Sequence, residues 1–183
     1  MGIQVESAQN GNVLVVDETG RALVESKSNL RGFFISRDDA RLFNIVFNDA
    51  SAAAGDFVGY VKNTSQSRIL VVDLVRVEAT EAAVWNVHKV SGVAVGAAAA
   101  PLPVNMNFGS GLLAEAEVAV DAITGLTSEG LVASDRHLAA SSSVIPFDDT
   151  LILPPDTAFA IQYLTGTTGE AAITARLYYE PLN

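Results

Sequence analysis

Apolar and polar residues alternate along much of this chain with a period of two, the signature of half-buried β-strands. The clearest case is Thr157 to Leu164, which sets Phe159, Ile161 and Tyr163 on one face. A second follows at once. From Ala171 to Glu180, Ile173, Ala175, Leu177 and Tyr179 face one way, and Thr174, Arg176, Tyr178 and Glu180 the other. The polar stretch between them, Thr165-Gly-Thr-Thr-Gly169, has two glycines able to supply positive φ, so the pair reads as a hairpin. A hairpin with one apolar face is not stable alone in water. The upstream strands are expected to cover it.

Those strands recur at short intervals. Leu42 to Phe47 and Phe57 to Lys62 come first, and Ala83 to Val90 places Trp85 and Val87 on a common face. Ile69 to Ala79 is the most apolar, with Leu70, Val72 and Leu74 on one face and Ile69, Val71, Val75 and Val77 on the other. Such a two-sided pattern marks a central strand or one that also lies in a subunit interface. Leu112 to Ile123 fits both helical and strand periods, and the glycines at 109, 111 and 125 favour a strand. Residues 125 to 143, rich in Gly, Ser and Ala, read as a surface excursion. Val144 to Phe147 and Leu151 to Pro155 read as two short apolar segments with a turn between.

Residues 1 to 35 differ from the rest. Turn signals at 9–12 and 17–20 flank the short apolar runs Val13 to Val16 and Ala22 to Val24, giving either a small hairpin or an arm that orders against a partner. Ser36, with acids behind it, predicts one helical turn up to Leu42. The expected architecture is all-β: a β-sandwich or jelly-roll-like arrangement of antiparallel sheets over residues 36–183, preceded by an N-terminal arm or hairpin over 1–35.

Composition narrows the function. Hydrophobic residues make up 49% of the 183 and charged residues 17%, too apolar for a disordered chain. The formal charge of −10 repels phosphate backbones, which argues against nucleic-acid binding. Without cysteine there are no disulfides and no thiolate metal sites. Met1 to Glu6 lacks the basic start of a signal peptide, and Glu6 stands where a myristoylation signal requires Ser or Thr. The longest apolar run, Val93 to Val104, is too short to span a bilayer and contains two prolines. The expectation is a protein folded in a cytoplasm, with no membrane partner.

No catalytic, cofactor-binding or metal-ligating residue is assigned. His88 and His137 are the only histidines, and neither has a second ligand at metal spacing. Ser141 to Ser143 lacks the Gly-x-Ser-x-Gly surroundings of a nucleophile. Asp38-Asp39 and Asp148-Asp149 lack the alternating acids and central glycine of a calcium loop. Gly92 to Gly96 is not followed by Lys and Ser or Thr, so it is no phosphate loop. Asn63-Thr-Ser65 has only the letters of a glycosylation sequon. Trp85, Tyr60, Tyr163, Tyr178 and Tyr179 would line a sugar site if exposed, but are expected in the core.

Five segments are more distinctive: Tyr60-Val-Lys-Asn-Thr-Ser65, Val84-Trp-Asn-Val-His-Lys-Val-Ser-Gly92, Leu102-Pro-Val-Asn-Met-Asn-Phe-Gly-Ser-Gly111, Leu151-Ile-Leu-Pro-Pro155 and Tyr178-Tyr-Glu180. Over residues 57 to 180 the chain resembles structural proteins of tailed-bacteriophage virions. The linker after Gly92 is alanine-rich where that family tends to carry Gly, Thr and Pro. The resemblance implies a non-enzymatic capsid decoration (cement) protein that binds the major capsid protein as a homo-oligomer, commonly a trimer. A tail or fibre module that binds host glycans is the alternative.

Overall fold

A computed structural model describes residues 4–6, 13–16, 22–24, 40–164 and 169–182. The chain divides into two compact units, Met1–Phe34 and Ile35–Asn183. In the first, β1 (Gln4–Glu6), β2 (Val13–Val16) and β3 (Ala22–Val24) form an antiparallel sheet in that order. Residues 36–39 of the expected helical turn lie outside the described residues, and so does the 165–168 turn.

The second unit contains β4 (Leu42–Ala52), β5 (Phe57–Asn63), β6 (Arg68–Ala79), β7 (Ala83–Val95), β8 (Val104–Asn105), β9 (Ala116–His137), β10 (Ser141–Leu153), β11 (Ala158–Leu164) and β12 (Gly169–Pro181), with no helix among the described residues. All pairings are antiparallel. One sheet runs β10-β6-β12-β4-β8, and the other closes on itself as β11-β5-β9-β7. Side chains from both meet in one core, where Phe43, Phe47, Leu70 and Leu177 pack with Trp85, Phe159, Ile161 and Tyr163. Trp85 meets Tyr163 edge-on at 5.0 Å, and Phe43 meets Tyr179 at 5.8 Å.

The expected terminal hairpin is not one. β11 pairs with β5 and β7, and β12 with β4 and β6, so the two strands lie in opposite sheets and face each other across the core. Their inward parity is as the alternation predicts, since Phe159, Ile161, Tyr163, Ile173, Ala175, Leu177 and Tyr179 are all buried. Period-two alternation fixes which face is apolar. It does not say which neighbour a strand takes.

The two-sided pattern of β6 has a local cause as well. Arg176 pairs with Leu74 and Leu177 with Val72, which leaves Asp73 as an extra residue in a β-bulge. The Arg176 guanidinium holds the Asp73 carboxylate at 2.5 Å on the outer face. Parity reverses across the bulge, so Val75 and Val77 join Leu70 and Val72 in the core. On the outer face Val71 sits in a satellite cluster with Leu42 and Tyr178, against which Ile69 packs. The second apolar face that suggested a subunit interface is therefore mostly a parity change within one strand.

Residues 125 to 143 are likewise not an excursion. β9 runs unbroken to His137 and β10 starts at Ser141. The first half of β9 pairs with β5, from Asn63↔Ala116 to Phe57↔Ile123, and the second with β7, from Val95↔Thr124 to Ala83↔His137. Between them the strand bends through Asp121 (φ 66), Ala122 (φ 39) and Gly125 (φ 79). A Cβ at Gly125 would meet the Val93 carbonyl oxygen at 2.2 Å, so here the glycine allows strand crossing rather than ending the strand. β10 is one strand with a bulge, where Asp148 and Asp149 take φ of 46 and 62 and Thr150 Oγ1 donates to the Phe147 carbonyl.

Candidate interaction surface

From Val90 to Ala114 the sequence carries no charged residue, within a chain of net charge −10. The middle of this stretch is held as an ordered ledge at the β8 edge of the five-stranded sheet. Its scaffold is a relay of asparagine and serine side chains. Asn105 Nδ2 donates to the carbonyls of Ala40 at 2.8 Å and Leu112 at 3.2 Å, while its Oδ1 accepts from Asn107 N at 2.9 Å. Asn107 Oδ1 accepts from Gly109 N at 3.1 Å, and Ser110 Oγ from Leu112 N at 3.1 Å. Short polar side chains of this kind bond the backbone locally and fix turns without a sheet.

The far end is pinned by charge. Glu115 pairs with Arg68 at 2.6 Å, and Arg68 lies 4.8 Å over the Tyr179 ring. Hydrogen bonds from Ser65 and Arg68 hold the Glu115 carboxyl below its usual range. Thr64 N also donates to the Glu115 carbonyl at 2.9 Å. Between these anchors Leu102, Phe108 and Leu113 are 83%, 85% and 84% exposed, with Val104 and Leu112 about half exposed. Pro101 and Pro103 lack the N–H a further strand would need on either side of Leu102, so the ledge offers side chains rather than a pairing edge.

The other sequence candidates separate clearly. Trp85, Tyr60, Tyr163, Tyr178 and Tyr179 are buried, and Phe108 is the one aromatic among the described residues that stands largely exposed. Asn63 is fully buried. Its Nδ2 donates to the carbonyls of Arg68 and Leu153, both at 2.9 Å, so it joins β5 to the start of β6 and the end of β10 and offers no glycosylation site. His88 lies between Ser128 Oγ at 2.9 Å and Gln162 Oε1 at 3.2 Å. Gly92 and Gly96 pack against the β9 backbone. Asp38 and Asp39 lie outside the described residues. No group of three or more His, Asp or Glu among the described residues is placed to hold a metal ion.

One grouping was not legible in the sequence. His137 and Ser143, expected in a loose loop, meet with Asp135 where the short connection from β9 to β10 passes from one sheet to the other. Ser143 Oγ is 2.8 Å from His137 Nε2 and makes a short hydrogen bond to Asp135 Oδ2, which lies 3.2 Å from the same His137 nitrogen. The short 138–140 connection brings Ser143 of β10 back to Asp135 and His137 of β9. The Ser143 bond, with help from the Arg136 N–H and His137, holds the Asp135 carboxyl below its usual range. A hydrolytic triad places the acid on Nδ1 and the serine on Nε2. Here both partners share Nε2, and Nδ1 is buried without a hydrogen-bond partner among the described residues. A serine that donates to Asp135 accepts from Nε2–H, so the nitrogen beside it has no lone pair to take its proton. An open depression of about 500 Å³ lies beside His137, lined by Val84, Arg136, Leu138 and Leu164 among others, and Ser143 does not line it.

No helix among the described residues is long and apolar enough to cross a membrane. No protein-family model, curated protein or solved structure matches the chain.

Proposed function

We propose that this protein is a virion structural protein of a tailed phage, without enzymatic activity. In this reading it decorates and stabilises the capsid exterior as an oligomer, and the ledge seats on the major capsid protein. The observation that carries the reading is the ledge itself. Apolar side chains held outward by a hydrogen-bonded scaffold suit burial against a partner, because scattered exposed apolar residues do not need such a scaffold. The absence of charge from Val90 to Ala114 lets this surface dock without stripping water from ions, while the acidic remainder keeps the chain soluble. The resemblance over residues 57 to 180 points to the same role. The glycan-binding alternative loses its main support, because the aromatics it would use are buried.

The test is cosedimentation of the full chain with undecorated capsids, beside Phe108→Asp and Leu113→Asp variants. Binding by the native chain, weakened about tenfold or more in the variants, is the expected result. A native chain that ignores capsids ends the decoration reading. Equal binding by all three moves the contact off the ledge.

A further inference from the structure

Away from the ledge, the two ring nitrogens of His88 have partners of different kinds. Gln162 Nε2 donates to the Gly55 carbonyl at 2.9 Å, which fixes the orientation of the amide and turns Oε1 toward the histidine. That oxygen lies 3.2 Å from His88 Nε2 and can only accept, so the ring proton sits on Nε2. Nδ1 of the neutral ring is then a bare acceptor, and the Ser128 hydroxyl, 2.9 Å away, donates to it. Phe57 meets the ring edge-on at 5.7 Å. In the Asp135 grouping, serine and acid crowd one nitrogen. Here the serine faces the lone pair and an acceptor holds the opposite N–H, the order in which an imidazole can take a serine's proton.

Three strands place these groups, and one bulge decides the outcome. Ala160 of β11 pairs with His88 of β7, so Gln162, two residues on, shares its face. Ser128 of β9 pairs with Val90, two residues on from His88, and lies on that face as well. Counted along β9, Ser128 stands three residues from Leu131, the partner of His88, and this odd spacing would send it to the other side of a regular strand. Glu129 is the extra residue between Lys89↔Gly130 and Val90↔Ser128, and it restores the parity. Lys89 holds the Glu129 carboxylate at 2.7 Å, outside the group. Ser128 itself is exposed, so a reagent reaches it from solvent.

We propose that Ser128 is a nucleophilic hydroxyl that accepts the acyl group of an activated carboxylic ester, with His88 as its base and Gln162 as a positioning residue. Ser128 Oγ bonds to the ester carbonyl carbon while its proton passes to His88 Nδ1. The bond from that carbon to the leaving oxygen breaks, and the departing alkoxide or phenolate takes the proton from Nδ1. The products are an acyl-Ser128 ester and a free alcohol, with the ring neutral again. One transfer per chain is enough and no turnover is required, so the proposal stands or falls apart from the particle reading.

The experiment treats the full chain with p-nitrophenyl acetate at neutral pH, follows p-nitrophenolate release and locates the acetyl group by mass spectrometry. Ser128 should acetylate at least about tenfold faster than the other serines, and His88→Asn should slow it by about a hundredfold. Gln162→Ala should slow it less, and Gln162→Glu, whose carboxylate also accepts from Nε2–H, should restore it, a rescue that a merely structural Gln162 would not show. Nitrogen-15 NMR of the native chain, which needs no variant to fold, should find the His88 proton on Nε2. Acetylation of Ser128 no faster than of other serines, an unchanged rate in His88→Asn, or a proton on Nδ1 overturns the proposal.

Discussion

The inter-sheet core and the ledge are both apolar, yet one is buried on all sides and the other projects into solvent. In the core, Phe159, Ile161, Tyr163 and Leu177 stand on regular strands whose backbone groups are met by their neighbours, so alternation alone turns them inward. On the ledge, Leu102, Phe108 and Leu113 stand on backbone that no long strand pairs, and Asn105, Asn107 and Ser110 take over that task. Hydrophobicity therefore does not decide on which side a residue ends up. What decides is whether the local backbone finds its hydrogen bonds in a sheet, where side chains must alternate, or in its own polar side chains, where they need not.

That contrast can be tested most sharply in the core. Leu177→Ala should cost about 2–5 kcal/mol in chemical denaturation, because a fully buried side chain leaves a cavity between two sheets. A cost under about 1 kcal/mol would place Leu177 outside any tight core. Asn63→Ala comes next, since it leaves the carbonyls of Arg68 and Leu153 unmet in buried surroundings, at about 1–3 kcal/mol. On the ledge the same kind of change should act locally. Asn105→Ala is expected to cost about 1 kcal/mol overall while speeding amide exchange at Asn107. If global stability fell as far as in the core variants, the ledge would be part of the core's cooperative unit. Smallest of all, Phe108→Asp should shift stability by less than about 0.5 kcal/mol, because its side chain touches little of its own chain.

Much of the fold could be read from the chain in advance. The β class, the inward faces of β11 and β12 and the burial of Trp85 all follow from period-two alternation. What did not follow depends on single residues or on distance. Asp73 adds one residue to β6 and reverses the parity of everything after it. Gly125 resembles a strand terminator and instead permits a close crossing. The partners of β11 and β12 are set by strands far away in sequence, which a local pattern does not encode. The Asp135, His137 and Ser143 grouping was hidden because its members straddle a turn in a stretch whose composition resembles a loop. The ledge residues carry part of the resemblance, but their exposure depends on the asparagine relay, and alternation gives no sign of it.

The position of β12 between β4 and β6 has a consequence for how the chain acquires its shape. Both flanking strands are synthesised well before β12, and neither pairs with the other. During translation they wait with one edge each unmet until a strand about a hundred residues downstream of β6 arrives to fill the gap. Such a topology is rich in long-range pairing and should fold slowly, with a late step that commits the whole sheet at once. Before that step the two open edges are templates for any extended segment, including one from a neighbouring nascent chain. Crowded polysomes should therefore favour strand exchange between copies, and lowering the expression temperature should raise the soluble yield more than adding stabilising surface substitutions.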